Sequence, residues 1–340
     1  MTHHAMAAVA GIHQTAGMRG FASEFRDLDH YIRVITDRIW EGRRIDDIRT
    51  YYSDPCIVET PMSVSTSVAE VISGTRATLA MFPDRRLLAE DVIQSGDDLQ
   101  GFLSSHRIIS PMTHLGEGSF GRATGARVHA RTIADCVCKD NRIIHEWLVR
   151  DQAAIALQIG TTPRALAQQW LDQRGGWNKP EAGPAPAGYV SHVSAEPQAR
   201  LHAQGLEALL RRNGEVAALY DDAAHLIGPG ERTWYGHAEI ADFWQGFAAS
   251  FRVTQFAIEH LVLQRDMATS GRPDRIALRF RAHSVHEPLS LEAQRFGKGT
   301  GRAVELLGIV HAELLRGRIL RQWVLLDEVA LWMQILTPQA

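Results

Sequence analysis

Two carboxylates in one hairpin are the sharpest chemical signal in this chain. Asp135 falls inside IADCVC, a strand-like run where an unpaired charge is costly to bury. Asp140-Asn141 reads as a two-residue hairpin turn, and counting back from it sets Asp135 opposite Glu146. Two acids on one face push their pKa values apart, so one stays protonated near neutral pH and is fit to move protons. The plain alternative is a polar patch where the sheet packs on the rest of the molecule, neutralised by Arg131 or Arg150. His106, in FLSSHRI, offers a general base or a hydrogen-bond donor to a carbonyl. With Ser104, Ser105 and Arg107 it makes a polar stretch between apolar pairs, which suits a pocket lining or an edge strand facing water. Glu59, just before Thr60-Pro61, is within reach of such a pocket.

Strand alternation separates two sets of residues. His145, Trp147 and Asp151 share one face, and Glu146, Leu148 and Arg150 share the other. On the counted register Asp135 belongs with Glu146, so Asp135 and Asp151 cannot both face one cavity without a bulge. Which set points inward stays open. Cys136, Cys138 and His145 have the residue types of a zinc site but lack a clear fourth ligand, so buried small Cys is the reading taken. No metal or other cofactor is expected. No Gly-rich phosphate loop and no Ser–His nucleophile signature appears.

The elements that must position these residues occur twice. Arg142–Ile159 and Arg318–Ile335 share seven identities in eighteen positions at a shift of 176, and the same shift pairs Val128 with Val304 and Ile133 with Ile309. Tyr52-x-Asp54 matches Tyr220-x-Asp222, and Gly74 matches Gly236 as the residue before a helix. Each half opens with helices (Leu28–Trp40, Ile45–Tyr52; Leu201–Arg211, Glu215–Tyr220) and closes with an antiparallel meander and a short helix. That order indicates α+β architecture, with helices covering one sheet face. The expected organisation is a loose tail over 1–20, a first domain over 21–165, a helix end and Gly/Pro/Ala linker over 166–194, and a second domain over 195–340.

Composition bounds the rest. The chain has 340 residues, 45% apolar and 22% charged, which is ordinary for a globular protein and excludes collagenous or disordered classes. A net charge of -3 gives no cationic surplus for nucleic acid, and no run is long and apolar enough to suggest a membrane span. Three cysteines and no signal-peptide pattern point to the cytoplasm.

The order YYSDPCIVETP, SGT…MFPD, MTHLGEGSFGRATG, IADCVCKDNRI and EWLVRD resembles the SnoaL-like polyketide cyclases of the nuclear transport factor 2-like superfamily. The resemblance is weaker in the second half, where TGRAVELLGIVHAELLRGRILRQWVLLD carries it. It implies two tandem α+β cones, each a curved sheet wrapped on helices around an apolar pocket, forming an internal pseudo-dimer; further homo-oligomerisation stays open. It also implies a small-molecule ligand, and it makes Asp151 the cyclase-type acid/base, with N-capping of the next helix as the alternative. His114 matches a histidine of such sequences near the pocket mouth. Ketosteroid isomerases of the superfamily place an acid on the strand of Asp135. Its epoxide hydrolases carry an acid where this chain has His106. An isomerase-like or dehydratase-like site would use Asp135, Glu146 and His106, and a cyclase-like site Trp147 and Asp151. Arg107 and Arg150 would help hold the substrate. The expected function is cofactor-independent acid/base chemistry on a carbonyl-bearing or polycyclic molecule, and the rivals are a non-catalytic binding module and a structural pseudo-dimer. Residues present in both copies, such as Trp147/Trp323 and Asp151/Asp327, read as scaffold. Those found in the first copy alone, His106, Asp135 and Glu146, read as functional.

Overall fold

The computed structural model describes residues 18–178, 180–181, 189, 191–287 and 295–337. Most of the tail expected over 1–20, and 182–188 of the linker, lie outside the described residues. The first half runs α1 (Leu28–Thr36), α2 (Ile48–Tyr51), β1 (Tyr52–Glu59), β2 (Val64–Ser65), α3 (Val68–Met81), β3 (Leu88–Asp97), β4 (Gly101–Thr113), β5 (Arg127–Lys139), β6 (Arg142–Arg150), α4 (Gln152–Gln158) and α5 (Pro163–Arg174). The second runs α6 (Pro197–Leu210), α7 (Val216–Leu219), β7 (Tyr220–Gly228), β8 (Arg232–Tyr235), α8 (Gly236–Ala248), β9 (Phe251–Gln264), α9 (Met267–Ser270), β10 (Asp274–His286), β11 (Ala303–Leu315), β12 (Arg318–Leu326) and α10 (Glu328–Leu336).

Each half builds one open six-stranded sheet with the same strand order, β2-β1-β6-β5-β4-β3 and β8-β7-β12-β11-β10-β9. The β1–β6 and β7–β12 pairs are parallel and the other neighbours antiparallel. This is the α+β class that the order of elements indicated, in the two tandem curved sheets that the family resemblance implied. Among the described residues no helix is long and apolar enough to cross a membrane.

Local chemistry explains the helices that close the first cone. In α1, Leu28, Tyr31, Ile32 and Ile35 recur at helical spacing and are all buried, and the Asp27 side chain accepts from His30 N–H at 2.7 Å as N-cap. α3 begins at Val68, not after Gly74 as the repeat suggested. Ser67 and Glu70 form a capping box there, so the helix starts six residues before Gly74 and carries it in its interior.

The β5–β6 hairpin positions most of the candidate residues. Asp140 and Asn141 take positive φ values of 47° and 63°, and Lys139 pairs with Arg142, as the two-residue turn required. A bulge then follows: Cys138 pairs with Ile143 but Val137 pairs with His145, leaving Ile144 over. The register beyond is one residue off the counted one. Glu146 lies opposite Cys136, and Asp135 lies opposite Trp147. The expected Asp135–Glu146 facing pair is therefore not formed, and the two acids lie on opposite faces of the sheet.

The faces turned away from the helices pack on each other. Ile133 and Val149 of the first sheet meet Leu307, Ile309 and Leu325 of the second in a buried cluster. Arg107 stacks over the Trp323 ring at 3.5 Å, and Arg279 stacks over Trp147 at 3.6 Å. These reciprocal contacts between equivalent positions mark a pseudo-twofold relation of the halves.

Candidate functional site

The cone of the first half holds a cavity of about 420 Å³ between α1, α3 and the inner face of β4, β5 and β6. Ile32, Ile35, Trp40, Phe120, Leu148 and Trp170 give it apolar walls. Into it project His106 from β4, Thr132 and Cys136 from β5, Glu146 and Arg150 from β6, Tyr52 from the start of β1, and Arg85 from the turn after α3. Alternation along β6 brings Glu146, Leu148 and Arg150 to this face together, which decides the parity question for that strand.

The polar groups in the cavity are set up unevenly. The Tyr52 hydroxyl donates to Glu146 Oε2 at 3.0 Å, while Oε1 has no hydrogen-bond partner among the described residues. Burial pushes the Glu146 carboxyl up to about 7, with the Tyr52 hydrogen bond and the Arg150 charge holding it back. His106 is buried, and burial with the Arg33 and Arg107 charges lowers it to about 3, so it is a neutral imidazole. Its Nε2, Thr132 Oγ1, Arg150 Nε and Gln152 Oε1 are buried without a hydrogen-bond partner among the described residues. Such atoms are costly to leave unmade, and four of them around one cavity suit a polar ligand.

Among the described residues, the second half contributes one to this cavity. Asp327, at the end of β12, lines it together with Arg174 of α5. Its Oδ1 caps α10 by accepting from Val329 and Ala330 at 3.0 and 3.1 Å. Burial raises its carboxyl to about 7, helped by the Asp151 charge and opposed by the helix N–H groups and Arg150.

The nine residues singled out from the sequence divide sharply. His106, Glu146 and Arg150 line the cavity; Glu59, Arg107, His114, Asp135, Trp147 and Asp151 do not. Asp135 lies on the opposite face, where Oδ1 accepts from Ser105 Oγ at 2.5 Å and Oδ2 from Arg279 at 2.5 Å, across the boundary between the sheets. Ser105 Oγ is also 2.8 Å from His311 Nε2, the position equivalent to Asp135 in the repeat. Burial raises Asp135, and Arg279 opposes that shift. The polar-patch alternative thus describes its surroundings, with Arg279 as the cation in place of Arg131 or Arg150. Arg107 bonds Glu90 at 3.1 Å under Trp323. Glu59 is 2.9 Å from His145 Nε2, and His145 stacks on Trp147.

Asp151 is held as a cap and a clasp. Its carboxylate accepts from Ala154 N–H at 2.9 Å and from the Gly230 and Glu231 N–H groups of the second half at 2.8 to 3.1 Å. His114 bonds Thr124 at 3.2 Å beside Phe82, and the second half repeats this with His286 and Thr300 at 3.0 Å, as a shared scaffold element would. Cys136 faces the cavity while His145 faces away, and among the described residues no group of three His, Cys, Asp or Glu side chains could hold a metal ion.

Tyr52, Arg85, Thr132 and Asp327 had no functional signal in the sequence. Tyr52 and Asp327 occur in both copies and read as scaffold, and Arg85 sits in FPDRR with no periodicity around it. What separates the copies is what surrounds the shared residues. In the second cone, Tyr220 bonds Gln322 in place of the Tyr52–Glu146 pair. Leu278, Phe280, Val310, Val324 and Leu326 join Phe243 and Trp244 in a packed core. A Cβ on Gly308, opposite Phe280, would come within 2.4 Å of that ring.

The comparisons with known proteins divide the chain in the same way. A family model described as SnoaL-like polyketide cyclase matches residues 30–159, and one described as SnoaL-like domain matches residues 203–322. Among solved structures, IdmH of Streptomyces antibioticus is 19% identical with a TM-score of 0.35, over 39% of this chain and 98% of its own. A SnoaL-like polyketide cyclase of Agrobacterium tumefaciens is 19% identical with a TM-score of 0.32, over 39% and 97%. TsrD of Streptomyces laurentii is 14% identical with a TM-score of 0.34, over 39% and 93%. No curated protein matches the chain. With one family model in each half, and more than half of the chain matched by the two together, the chain belongs to the SnoaL-like family as a tandem of two such domains.

Proposed function

We propose that the first half is an acid/base catalyst, working with side chains alone, that moves a proton on and off carbon beside the carbonyl of a small ring-bearing molecule. The observation that carries this reading is Glu146: a buried acid poised at about 7, bonded through one oxygen to Tyr52, with the other oxygen unpartnered at an apolar cavity. The Glu146 carboxylate takes the α-proton, and the electron pair of the broken C–H bond moves onto the carbonyl oxygen. Neutral His106, its Nε2 unpartnered in the same cavity, donates a hydrogen bond to that oxygen. The proton then returns to carbon from Glu146 or from Asp327.

The test is hydrogen–deuterium exchange at the α-carbon of 2-tetralone in deuterated buffer, followed by NMR. The wild-type protein should accelerate exchange, and Glu146→Gln should lose at least ~100-fold of that acceleration, the scale of general-base catalysis. Equal rates in the two proteins would overturn the reading. Exchange no faster than buffer with wild-type protein would favour a non-catalytic binding module.

A further inference from the structure

We propose that the first cone binds a substrate carrying a carboxylate, held by Arg85 and Arg150. This rests on the proposed function in using the same cavity, and it adds the substrate class. The two guanidinium-bearing side chains enter from different elements, Arg85 from the turn after α3 and Arg150 from the end of β6, and both line the cavity. Arg85 is 5% exposed, and neither side chain forms an ion pair among the described residues. Among the described residues the other buried arginines are all neutralised: Arg279 by Asp135, Arg275 by Asp91 and Asp266, Arg107 by Glu90. Arg150 Nε has no hydrogen-bond partner at all among the described residues.

Arg85 is a cation held out of water without a counterion, which is costly, and Arg150, half-buried, has only the Glu146 and Asp327 carboxyls to offset its charge; burial lowers the pKa of both, more strongly for Arg85, which also feels the Arg150 charge. A bound anion removes that cost. The guanidinium fork suits planar carboxylate oxygens, and two forks on one cavity can share them. Glu146 and Asp327 in the same cavity oppose a dianion, so a carboxylate fits better than a phosphate. The aromatic and aliphatic walls take the ring body to which the carboxylate is attached. In the second half Leu326 stands where the first has Arg150, so the anion site belongs to one copy only.

The test uses the full chain at pH 6 and compares 2-naphthoate with the neutral 2-naphthamide by isothermal titration calorimetry. The wild-type protein should bind 2-naphthoate at least ~10-fold more tightly, the scale of one charge-assisted hydrogen bond. Arg150→Gln and Arg85→Gln should each abolish that preference while 2-naphthamide affinity stays the same. Arg85→Gln should melt no lower than wild type without ligand, because an uncompensated buried charge has gone. Equal wild-type affinity for acid and amide would overturn the proposal. So would full naphthoate affinity in both variants, or tighter binding of 2-naphthyl phosphate than of 2-naphthoate. The failures are separable: carboxylate preference depends on Arg85 and Arg150, whereas 2-tetralone exchange depends on Glu146.

Discussion

Glu146 gains reactivity from the burial that makes its charge expensive, and this ties stability to pH at one residue. Its carboxyl is raised from the ordinary 4.5 to about 7 in the folded chain. Between those values the folded state keeps a proton that the unfolded chain has released. The contribution is therefore complete below about 4.5 and lost as pH rises through about 7. The loss is on the order of 3 kcal/mol at 1.36 kcal/mol per pKa unit. Glu146→Gln is neutral at every pH, so its stability relative to wild type should improve from pH 5 to pH 8, as measured by paired urea denaturation. No change in that difference would mean Glu146 is not buried in its proton-holding form. Glu146 and His106 were legible as chemistry-bearing residues because an acid and an imidazole stand out in strand-like sequence. Arg85 was not, since nothing in a turn tells whether a cation points to water or into a cone.

At the scale of elements, the hairpin and the helix caps decide which acids meet substrate. The turn at Asp140-Asn141 could be read from its residue types, but the bulge at Ile144 could not, because the extra residue carries no special composition. A slip of one residue moves every side chain to the other face, which is why the counted Asp135–Glu146 pair came apart. The two caps after the last strands make the same point. Asp151 is clasped by the Gly230 and Glu231 N–H groups, whereas the equivalent turn at Pro61–Ser63 turns its Met62 and Ser63 N–H groups onto Thr60 Oγ1. Asp327 is left at the cavity. Asn keeps a helix cap within a few tenths of a kcal/mol. Asp327→Asn should therefore slow 2-tetralone exchange by ~10-fold or more without lowering the melting temperature, with Asp151→Asn slowing it far less. The opposite ranking would restore the cyclase-type role of Asp151.

Over the whole molecule, the doubling was legible from one shift of 176 residues, and the α+β class from the order of elements within it. How the halves face each other was not, because the contacts that join them lie far apart in sequence. Asp135 and Arg279 are 144 positions apart and meet in the buried seam between the sheets. Asp135→Ala leaves the buried Arg279 guanidinium with only its longer contact to Glu259 at 3.3 Å and should cost about 3 kcal/mol in denaturant unfolding, the lower end of the usual penalty for breaking a buried pair. Exchange on 2-tetralone per folded molecule should persist, because Asp135 is on the far side of the sheet from the cavity. Loss of exchange in folded Asp135→Ala protein would return Asp135 to the active machinery.

The seam also shows what joining two copies in one chain permits. In a symmetric dimer every interface residue is present twice, and one near the twofold axis meets its own copy. An acid there would confront an identical acid. Here the position equivalent to Asp135 is His311, and one serine, Ser105, bonds both. Covalent fusion lets a single substitution alter one side of the axis only, so the seam can hold opposite partners while one cone fills with side chains and the other stays open.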